Sequence, residues 1–493
     1  MSSTKNKNKD ISPMNEIFDY VIVGSGAAGS VLSFYLTQAG ASVCLVEAGK
    51  SFSYGEYPVD ELTANSQLMW HGGADLNTQA NLILLRGKTV GGGTVINQCL
   101  LDRFDTFAWN LFKQASNISW FTNEIMHPHY LAIEEQLSIQ TISQAHWNNN
   151  AKLYAKSFDK LKLNYAPLQR GQSYCNNMDC IVCLGGCNRN SKQSMPATFL
   201  KLALRQKLKL ISQYHVKNII PGKNIISIYG NHITGPKVIN ARHCILSAGA
   251  LGTTEILLRT GFANKLPALG KGFYCHPQFM YLAQCKDPVD AHIGNFQGIK
   301  STDVRFRKQG FKLENVFARP IGIALLKSGY GLDHQQFMQK FRYLACIEVA
   351  IRDECPGFIT LKNNRLAIHK ILGDTDKQKV NSGKDVVFEM FNQLNVSHKE
   401  QPTYPIGLHL MGGCAIGNNS HSSVVNERFG VWSEPRLSIV DGSIFPIAPG
   451  INPSLTIMAL AHRASQYLLR QHTQLQKTTN DIQISTATST EYA

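Results

Sequence analysis

Three glycines and one glutamate near the start of the chain have the types and the spacing of a dinucleotide-binding site. Gly24, Gly26 and Gly29 form the pattern G-x-G-x-x-G, and Glu47 follows about 20 residues later. The first glycine allows a sharp turn, the second lets a pyrophosphate approach the backbone, and the third lets a helix pack closely on a strand. A carboxylate at Glu47 accepts hydrogen bonds from an adenosine ribose and disfavours a phosphorylated ribose. The motif by itself does not distinguish FAD from NAD.

The segments around these glycines predict a strand, a turn, a helix and a second strand. Residues 20–23 form a short apolar strand, residues 27–39 place apolar side chains on one helical face, and residues 43–46 form the next apolar strand. The first turn of the helix then presents free N–H groups to the phosphates. This context favours a bound dinucleotide over a tight glycine turn without a ligand.

A second glycine-rich stretch, RGKTVGGGTVIN, covers residues 86–97. Gly91, Gly92 and Gly93 are consecutive, and such a run provides backbone freedom or allows close approach to a flat ligand. The alternative interpretation is a flexible surface loop.

Four cysteines form the third group that could do chemistry. Cys175, Cys180, Cys183 and Cys187 are separated by four, two and three residues, and the last three match part of a ferredoxin-type pattern. The pattern is incomplete, because Asn188 stands where proline usually follows the last cysteine. Three interpretations remain open: an iron–sulfur cluster, zinc or another structural metal, and free thiols without a metal.

Composition limits the function classes. The chain has 493 residues, 43% of them hydrophobic and 17% charged, and a formal net charge of +15. No arginine-rich run or nucleic-acid motif accompanies this charge, so we predict no nucleic-acid partner, while peripheral contact with a membrane stays open. No apolar stretch is long enough to span a membrane, and no signal sequence is recognisable at the N-terminus. We therefore predict a cytoplasmic location.

Taken together, these segments resemble the glucose–methanol–choline (GMC) family of flavin oxidoreductases. The resemblance covers residues 18–50 and 86–97, HCILSAGALGTTEILLRTGF from residue 243, residues 270–276, and the segments HLMGGCAIG and INPSLTIMALAHRA near the C-terminal end. The sequence HLMGGC at residues 409–414 and the motif G-x-N-P at residues 450–453 are most similar to those of the cholesterol-oxidase-like and long-chain alcohol dehydrogenase branch.

The resemblance implies a tightly bound FAD and the oxidation of an alcohol by hydride transfer to flavin N5. It implies that His409 is the base that takes the hydroxyl proton and that Asn452 binds the substrate oxygen. It also implies that a helix beginning near Asn452 points its positive end at the flavin. The other cofactor-binding residues that it implies are Ala27, Ala28, Gly91, Gly92, Gly93, Thr94, Asn97, Val216, Asp441, Gly442, Pro453 and Thr456.

We predict an α/β protein with a Rossmann-like FAD-binding domain and a substrate domain, which has a mainly antiparallel sheet and flanking helices. The two domains alternate along the chain. The predicted segments are a disordered leader (1–15), the FAD-binding domain (16–104, 175–280 and 401–472), a helical part of the substrate domain (105–174), its remainder (281–400) and a disordered tail (473–493).

The predicted substrate is a bulky apolar alcohol, such as a sterol or a fatty alcohol. One alternative is a sugar or polyol dehydrogenase that passes electrons through an iron–sulfur cluster to an external acceptor. Another is a non-catalytic flavin-binding electron-transfer protein, and a third is a lyase-like relative that binds FAD without reducing it. The presence of both His409 and Asn452 argues against lost catalysis.

Overall fold

The computed structural model describes residues 12–175 and 183–471. The strands are β1 (Ser12–Val23), β2 (Val43–Val46), β3 (Asp75–Leu76), β4 (Ile83–Leu84), β5 (Ile139–Thr141), β6 (Tyr165–Pro167), β7 (Gln169–Gly171), β8 (Lys209–Ile211), β9 (Tyr214–Pro221), β10 (Ile226–His232), β11 (Gly235–Leu246), β12 (Lys271–Cys285), β13 (Ile299–Ser301), β14 (Phe311–Asn315), β15 (Leu344–Ile351), β16 (Gly357–Lys362), β17 (Arg365–His369), β18 (Val396–Glu400), β19 (Ile406–Met411), β20 (Gly430–Val431) and β21 (Glu434–Ile439).

The helices alternate with these strands. They are α1 (Ala27–Gln38), α2 (Glu61–Leu68), α3 (Gly93–Ile96), α4 (Thr106–Ser116), α5 (Asn123–Glu134), α6 (Asn149–Lys160), α7 (Phe199–Arg205), α8 (Gly249–Thr260), α9 (Val304–Gln309), α10 (Pro320–Leu326), α11 (Gly331–Gln339), α12 (Asp374–Asn392) and α13 (454–471).

The first sheet contains the glycine motif. Its order is β20-β21-β11-β1-β2-β8, and the pairs from β21 to β8 are all parallel. The antiparallel strands β9 and β10 continue from β11. Tyr20, Val21, Ile22 and Val23 of β1 are buried, and helix α1 connects β1 to β2, as a crossover between parallel strands requires. The structure confirms the predicted α/β class.

The second sheet forms the substrate side of the molecule. Its order is β3-β4-β19-β12-β15-β14-β13-β6, and the strands β16, β17 and β18 are attached through β12. Its strand pairs are antiparallel except for β4 with β19. Helices α6 and α12 pack on β14 and β15 and bury a separate apolar core.

The chain passes between the two sheets more often than the sequence indicates. Strands β3, β4 and β19 come from segments that we assigned to the FAD-binding domain, yet they complete the second sheet. Strand β12 runs through the predicted boundary between residues 280 and 281. Sheet edges are completed by pairing between distant segments, which local sequence patterns do not encode. The other domain limits stay predictions.

The predicted disordered leader is too long. Residues 12–15 belong to β1, where Ser12 pairs with Lys237 and Pro13 with Val238 of β11. The sequence of residues 12–15, SPMN, has no run of apolar residues that would indicate a strand. The pairing with β11 depends on backbone groups, which the side-chain pattern does not reveal. Residues 1–11 and the predicted tail lie outside the described residues. Within the two described stretches, the helices lack the length and apolar character needed to cross a bilayer.

Candidate active site

A cavity of about 550 Å³ reaches from the glycine turn of the first sheet to the side chains of the second sheet. This volume is within the range of small-molecule and cofactor sites. Gly24 and Gly26 lie at one end, Glu314 and Glu348 lie on the wall formed by the second sheet, and His409 lines the same space. The cavity therefore brings the predicted nucleotide site and the predicted catalytic residues together.

The three glycines of the motif have different surroundings. Gly24 has a φ of +100°, and a Cβ there would lie 2.4 Å from the Ser247 carbonyl oxygen. A Cβ on Gly29 would lie 1.9 Å from the Gly24 carbonyl oxygen, so Gly29 faces protein and does not line the cavity. A Cβ on Gly26 would meet nothing within 4 Å. Gly26 also caps α1, whose first turn has no side-chain cap. This open cradle beside free N–H groups fits a pyrophosphate. The next two residues, Ala27 and Ala28, line the cavity.

Glu47 is buried at the end of β2 and is held by backbone and side-chain donors. Its Oε2 accepts hydrogen bonds from Ser25 N at 3.0 Å and Ser25 Oγ at 2.8 Å, and its Oε1 accepts one from Gly49 N at 2.9 Å. Burial raises the pKa of the Glu47 carboxyl, and the hydrogen bonds oppose that rise. Three acceptor positions are used, so the carboxylate keeps capacity to bind a ribose hydroxyl in the cavity that it lines.

The second glycine-rich stretch lies directly against the first. Gly92 has a φ of +53°, and a Cβ there would lie 3.1 Å from Gly26 Cα. Gly91 N donates to Ser25 Oγ at 2.9 Å, but Gly91 packs on Pro196 and does not line the cavity. Residues of this stretch that do line it include Gly92, Gly93, Thr94 and Asn97.

Val216 on β9 and the Asp441–Gly442 turn after β21 also line the cavity. The Asp441 carboxylate accepts hydrogen bonds from Gly249 N at 2.9 Å and from Thr253 Oγ1 at 2.5 Å. It therefore caps the first turn of α8, which gives this side chain a structural role in addition to its place on the wall.

Helix α13 presents its N-terminus to the cavity. Asn452 and Pro453, just before the helix, line it, as do Ser454 and Ile457. Thr456 does not line the cavity: it is buried, and its Oγ1 shares a hydrogen bond of 2.6 Å with the Tyr130 hydroxyl. The helical period explains this difference, because two residues correspond to about 200° around the axis, so Thr456 points away from the side of the helix on which Ser454 lines the cavity.

His409 occupies a bulge in β19. Leu408 pairs with His276 and Met411 pairs with Tyr274, so that two residues of β19 lie opposite one residue of β12. His409 has a φ of +54°, an uncommon backbone conformation for a residue other than glycine. Bulges of this kind re-aim a side chain, and here the imidazole is directed to the cavity.

A hydrogen-bond chain fixes the protonation of His409. Gly450 N donates to His276 Nε2 at 3.0 Å, so a neutral His276 carries its proton on Nδ1. The Nδ1 atoms of His276 and His409 are 3.0 Å apart, and His409 Nδ1 is therefore the acceptor. Neutral His409 then carries its proton on Nε2. Burial, followed by the charge of Lys312, lowers the pKa of His409 to about 3.

The cysteine cluster approaches the cavity from the side of α3. Cys180 lies outside the described residues, and among the residues that are described no group of three or more His, Cys, Asp or Glu could hold a metal ion. Arg170 Nη2 donates to Cys183 Sγ at 3.6 Å, and Lys192 N donates to Cys187 Sγ at 3.5 Å. Both side chains are 1% exposed. Arg170 donates to the carbonyl oxygens of Gln98 and Gln297, and Lys192 Nζ donates to those of Asn97 and Cys183. The iron–sulfur cluster stays a prediction.

Several residues of the site were not identified from the sequence. They are Ser25, His276, Lys312, Glu314 and Glu348. Ser25 occupies the variable position between Gly24 and Gly26. The sequence feature that could have identified it is Glu47, the carboxylate to which it donates two hydrogen bonds. The signal for Lys312 and Glu314 was a strand with polar residues at alternate positions, FKLEN, which places both on one face of β14.

Comparison with known proteins gives consistent results. Models of the GMC oxidoreductase family match residues 18–278 (N-terminal part) and 365–461 (C-terminal part). A long-chain-alcohol oxidase of Arabidopsis thaliana is 24% identical over 90% of this chain and 67% of its own length. A cholesterol oxidase of Acinetobacter baumannii is 23% identical over 93% of this chain and 96% of its own length.

Solved structures show the same fold. Pyridoxine 4-oxidase from Mesorbium loti superposes with a TM-score of 0.71 at 14% identity, over 91% of this chain and 98% of that chain. A formate oxidase variant from Aspergillus oryzae, studied for its FAD modification, superposes with a TM-score of 0.71 at 15% identity, over 94% of this chain and 100% of that chain. Because the family models together match well over half of the residues, the chain belongs to the GMC oxidoreductase family, whose enzymes act on the CH–OH group of their donors.

Proposed function

We propose that this protein is an FAD-dependent oxidoreductase that oxidises the hydroxyl-bearing carbon of an apolar alcohol. The observation that carries the proposal is that His409 and Asn452 line the same cavity as the glycine turn at Gly26. A histidine and an amide beside the cavity, together with an open phosphate cradle, are the parts that a flavin alcohol oxidoreductase needs.

The residues that would hold FAD lie along one part of the cavity. The N-terminus of α1 and Gly26 would bind the pyrophosphate, Glu47 would bind the adenosine ribose, and Gly92 to Asn97 would lie along the ring system. When bound, FAD supplies an acceptor for the hydride of the alcohol carbon. The N-terminus of α13, just after Asn452, adds partial positive charge to this part of the cavity.

The wall formed by the second sheet and α10 indicates the class of alcohol. One part of it is apolar, and a second part carries the polar side chains of Gln278, Gln297, Glu314 and Glu348. The apolar part consists of Met280, Val316, Phe317, Leu325, Leu326 and Ile406. This part of the wall would bury a hydrocarbon chain or ring system at about 25 cal/mol per Å². Long-chain-alcohol oxidases and a cholesterol oxidase are among the relatives, which supports a fatty alcohol or a sterol as the substrate.

The hydroxyl proton would pass to His409, in a way that depends on His276. With its proton on Nε2, His409 donates a hydrogen bond to the alcohol oxygen. It accepts a proton at Nε2 only when the hydrogen bond between the two Nδ1 atoms reverses and His276 releases the Gly450 N–H. His409 is therefore both a binding group and the proposed proton acceptor.

The first experiment is an anaerobic titration of the FAD-loaded protein with 1-dodecanol, cholesterol and glucose. We expect the apolar alcohols to bleach the flavin absorption and glucose to leave it unchanged, because glucose has no hydrocarbon chain or ring system to bury against the apolar part of the wall. The visible spectrum measures this directly.

Each other outcome favours an alternative. Bleaching by glucose alone would support a sugar or polyol dehydrogenase. A protein that binds FAD but is bleached by no alcohol would support a non-catalytic electron-transfer protein or a lyase-like relative, and a protein that cannot bind FAD would contradict the proposal.

We further propose that electrons leave through a cysteine-bound iron–sulfur cluster to an external acceptor. The buried cations Arg170 and Lys192 both lie beside Cys183, since Arg170 donates to its Sγ and Lys192 Nζ donates to its carbonyl oxygen at 2.7 Å, and buried positive charge favours an anionic group there. We expect iron in protein purified without oxygen and its loss in a Cys183→Ser, Cys187→Ser variant. Iron analysis and low-temperature electron paramagnetic resonance measure it. Iron-free protein would instead support free thiols or a zinc site, with molecular oxygen as the electron acceptor.

A cytoplasmic location also stays a proposal.

A further inference from the structure

A charged cluster lies on the cavity wall beside the proposed catalytic pair. Lys312 and Glu314 are two residues apart on β14 and therefore lie on the same face of the sheet. Glu348 on β15 is paired directly with Glu314. The two glutamates are 1% and 0% exposed, and the Lys312 side chain is 18% exposed. The proposed function does not account for this cluster.

One of the two carboxyl groups contacts the ammonium group, and both accept a hydrogen bond from the same amide. Lys312 Nζ lies 2.5 Å from Glu314 Oε1, and Gln297 Nε2 donates to Glu314 Oε2 at 2.8 Å and to Glu348 Oε1 at 3.3 Å. Burial first, and then the charge of Glu314, raises the pKa of Glu348 well above its usual range. Glu348 is therefore harder to ionise than a solvent-exposed glutamate, whereas Glu314 is the carboxyl that the Lys312 ammonium group contacts.

Lys312 remains charged in this position. Burial lowers its pKa, but the carboxylates of Glu314 and Asp102 outweigh burial and hold the pKa above its usual value. The ammonium group has donors and no acceptor. Lys312 Nζ also contacts Asn452, where it donates to Oδ1 at 2.7 Å.

This contact determines which end of the Asn452 amide faces the cavity. Because an ammonium group only donates, the amide oxygen must face Lys312, and the NH₂ group is left for a ligand. Asn452 lines the cavity together with His409. His409 carries its proton on Nε2, so both side chains offer donors to one ligand oxygen.

We propose that Lys312 is a positioning residue: held by Glu314, it keeps the Asn452 NH₂ group turned to the cavity as a donor for the substrate oxygen. This inference rests on the proposed function. The alcohol oxygen gains negative charge as its proton leaves, and a fixed donor stabilises that charge. Without Lys312 the amide can turn and present its oxygen, which would hold the hydroxyl proton in place.

A double-mutant cycle tests whether Lys312 acts through Asn452. The variants are Lys312→Met, Asn452→Ala and the double variant, and the readout is the limiting rate of anaerobic flavin reduction by 1-dodecanol. We expect Lys312→Met to lower the rate by about 10²-fold, the effect of one lost oxyanion donor. In the Asn452→Ala background the same change should have less than a threefold effect. Equal effects in both backgrounds would overturn the proposal.

Two further comparisons separate positioning from a structural role. Lys312→Arg keeps a charged donor and should recover at least tenfold of the rate lost in Lys312→Met. Glu314→Gln should lower the rate at least tenfold more than Glu348→Gln, because Glu314 contacts the Lys312 ammonium group and Glu348 contacts Gln297 instead. FAD content and melting temperature are measured for each variant. Equal losses in the two glutamine variants would contradict the proposed anchor.

A ligand that is not turned over keeps this test independent of the proposed function. Dodecanoate has an apolar chain and an oxygen anion, and its binding is read from the perturbation of the flavin spectrum. We expect about tenfold weaker binding in Lys312→Met and no further change from Lys312→Met in the Asn452→Ala background. If no alcohol reduces the wild-type flavin but this cycle gives the expected result, the proposed function fails and the positioning role of Lys312 stands. Equal loss of dodecanoate affinity in both backgrounds would overturn it.

Discussion

Replacing His409 by asparagine is expected to lower the rate of flavin reduction by about 10²–10⁴-fold, the usual contribution of a general base. The variant should still bind FAD, since His409 lies on β19 and the phosphate cradle lies at Gly26. Asparagine is chosen because it tolerates the left-handed backbone conformation of this position, φ +54°, better than alanine. The measurement is stopped-flow reduction by an apolar alcohol without oxygen.

The pH dependence of this reaction adds a second expectation. With a pKa of about 3, His409 is neutral throughout the range from pH 5 to 9, so its own protonation should not produce an acid limb in the rate there. Because burial and the charge of Lys312 lower this pKa, the Lys312→Met variant should raise it.

Two other histidines serve as comparisons. His398→Asn, on an exposed part of β18, is the matched control and should reduce its flavin at the wild-type rate. His276→Asn removes the Nδ1 partner of His409 and should give a smaller loss than His409→Asn. A His409→Asn variant that reduces its flavin as fast as the wild type would contradict the assigned role.

The α/β class and the first sheet could be predicted because their signals are local. A buried strand, a glycine turn and a mostly buried helix follow one another within residues 18–50, and β1, α1 and β2 form there. For the second sheet, the sequence predicted a mainly antiparallel arrangement but not which strands pair. Its strands come from segments hundreds of residues apart, such as β4 and β19, and no local pattern reveals which strands pair.

The residues of the candidate site also fall into two groups, those that a local motif predicts and those whose role depends on distant segments. Gly26, Glu47 and Asn97 line the cavity, and each belongs to a short motif. Gly91 and Thr456 belong to the same motifs but face protein, since the path of one turn decides which residues reach a ligand. His276 could not be assigned, because its role depends on a bulge in β19 and on Gly450 N, far along the chain.

Two glycine substitutions in the nucleotide motif are expected to separate loss of cofactor from loss of fold. Gly26→Leu should leave the protein folded and lower its FAD affinity by more than tenfold. Gly26 has a φ of −67°, which a leucine adopts without strain, and its side chain would extend into the cavity where nothing lies within 4 Å of a Cβ. FAD content after purification and the melting temperature of the FAD-free protein measure the two effects.

Gly29→Ala, by contrast, should destabilise the fold itself, although alanine adds only one methyl group. Its Cβ would lie 1.9 Å from the Gly24 carbonyl oxygen, so α1 would have to move away from the turn after β1. Such overpacking typically destabilises a protein by about 1–3 kcal/mol, and the displaced helix would also lose its alignment with the phosphates. Because β1 is the central strand of the first sheet, we expect a lower melting temperature even without FAD. If Gly29→Ala melted like the wild type, or if Gly26→Leu bound FAD with wild-type affinity, the phosphate cradle would not lie where the glycine turn places it.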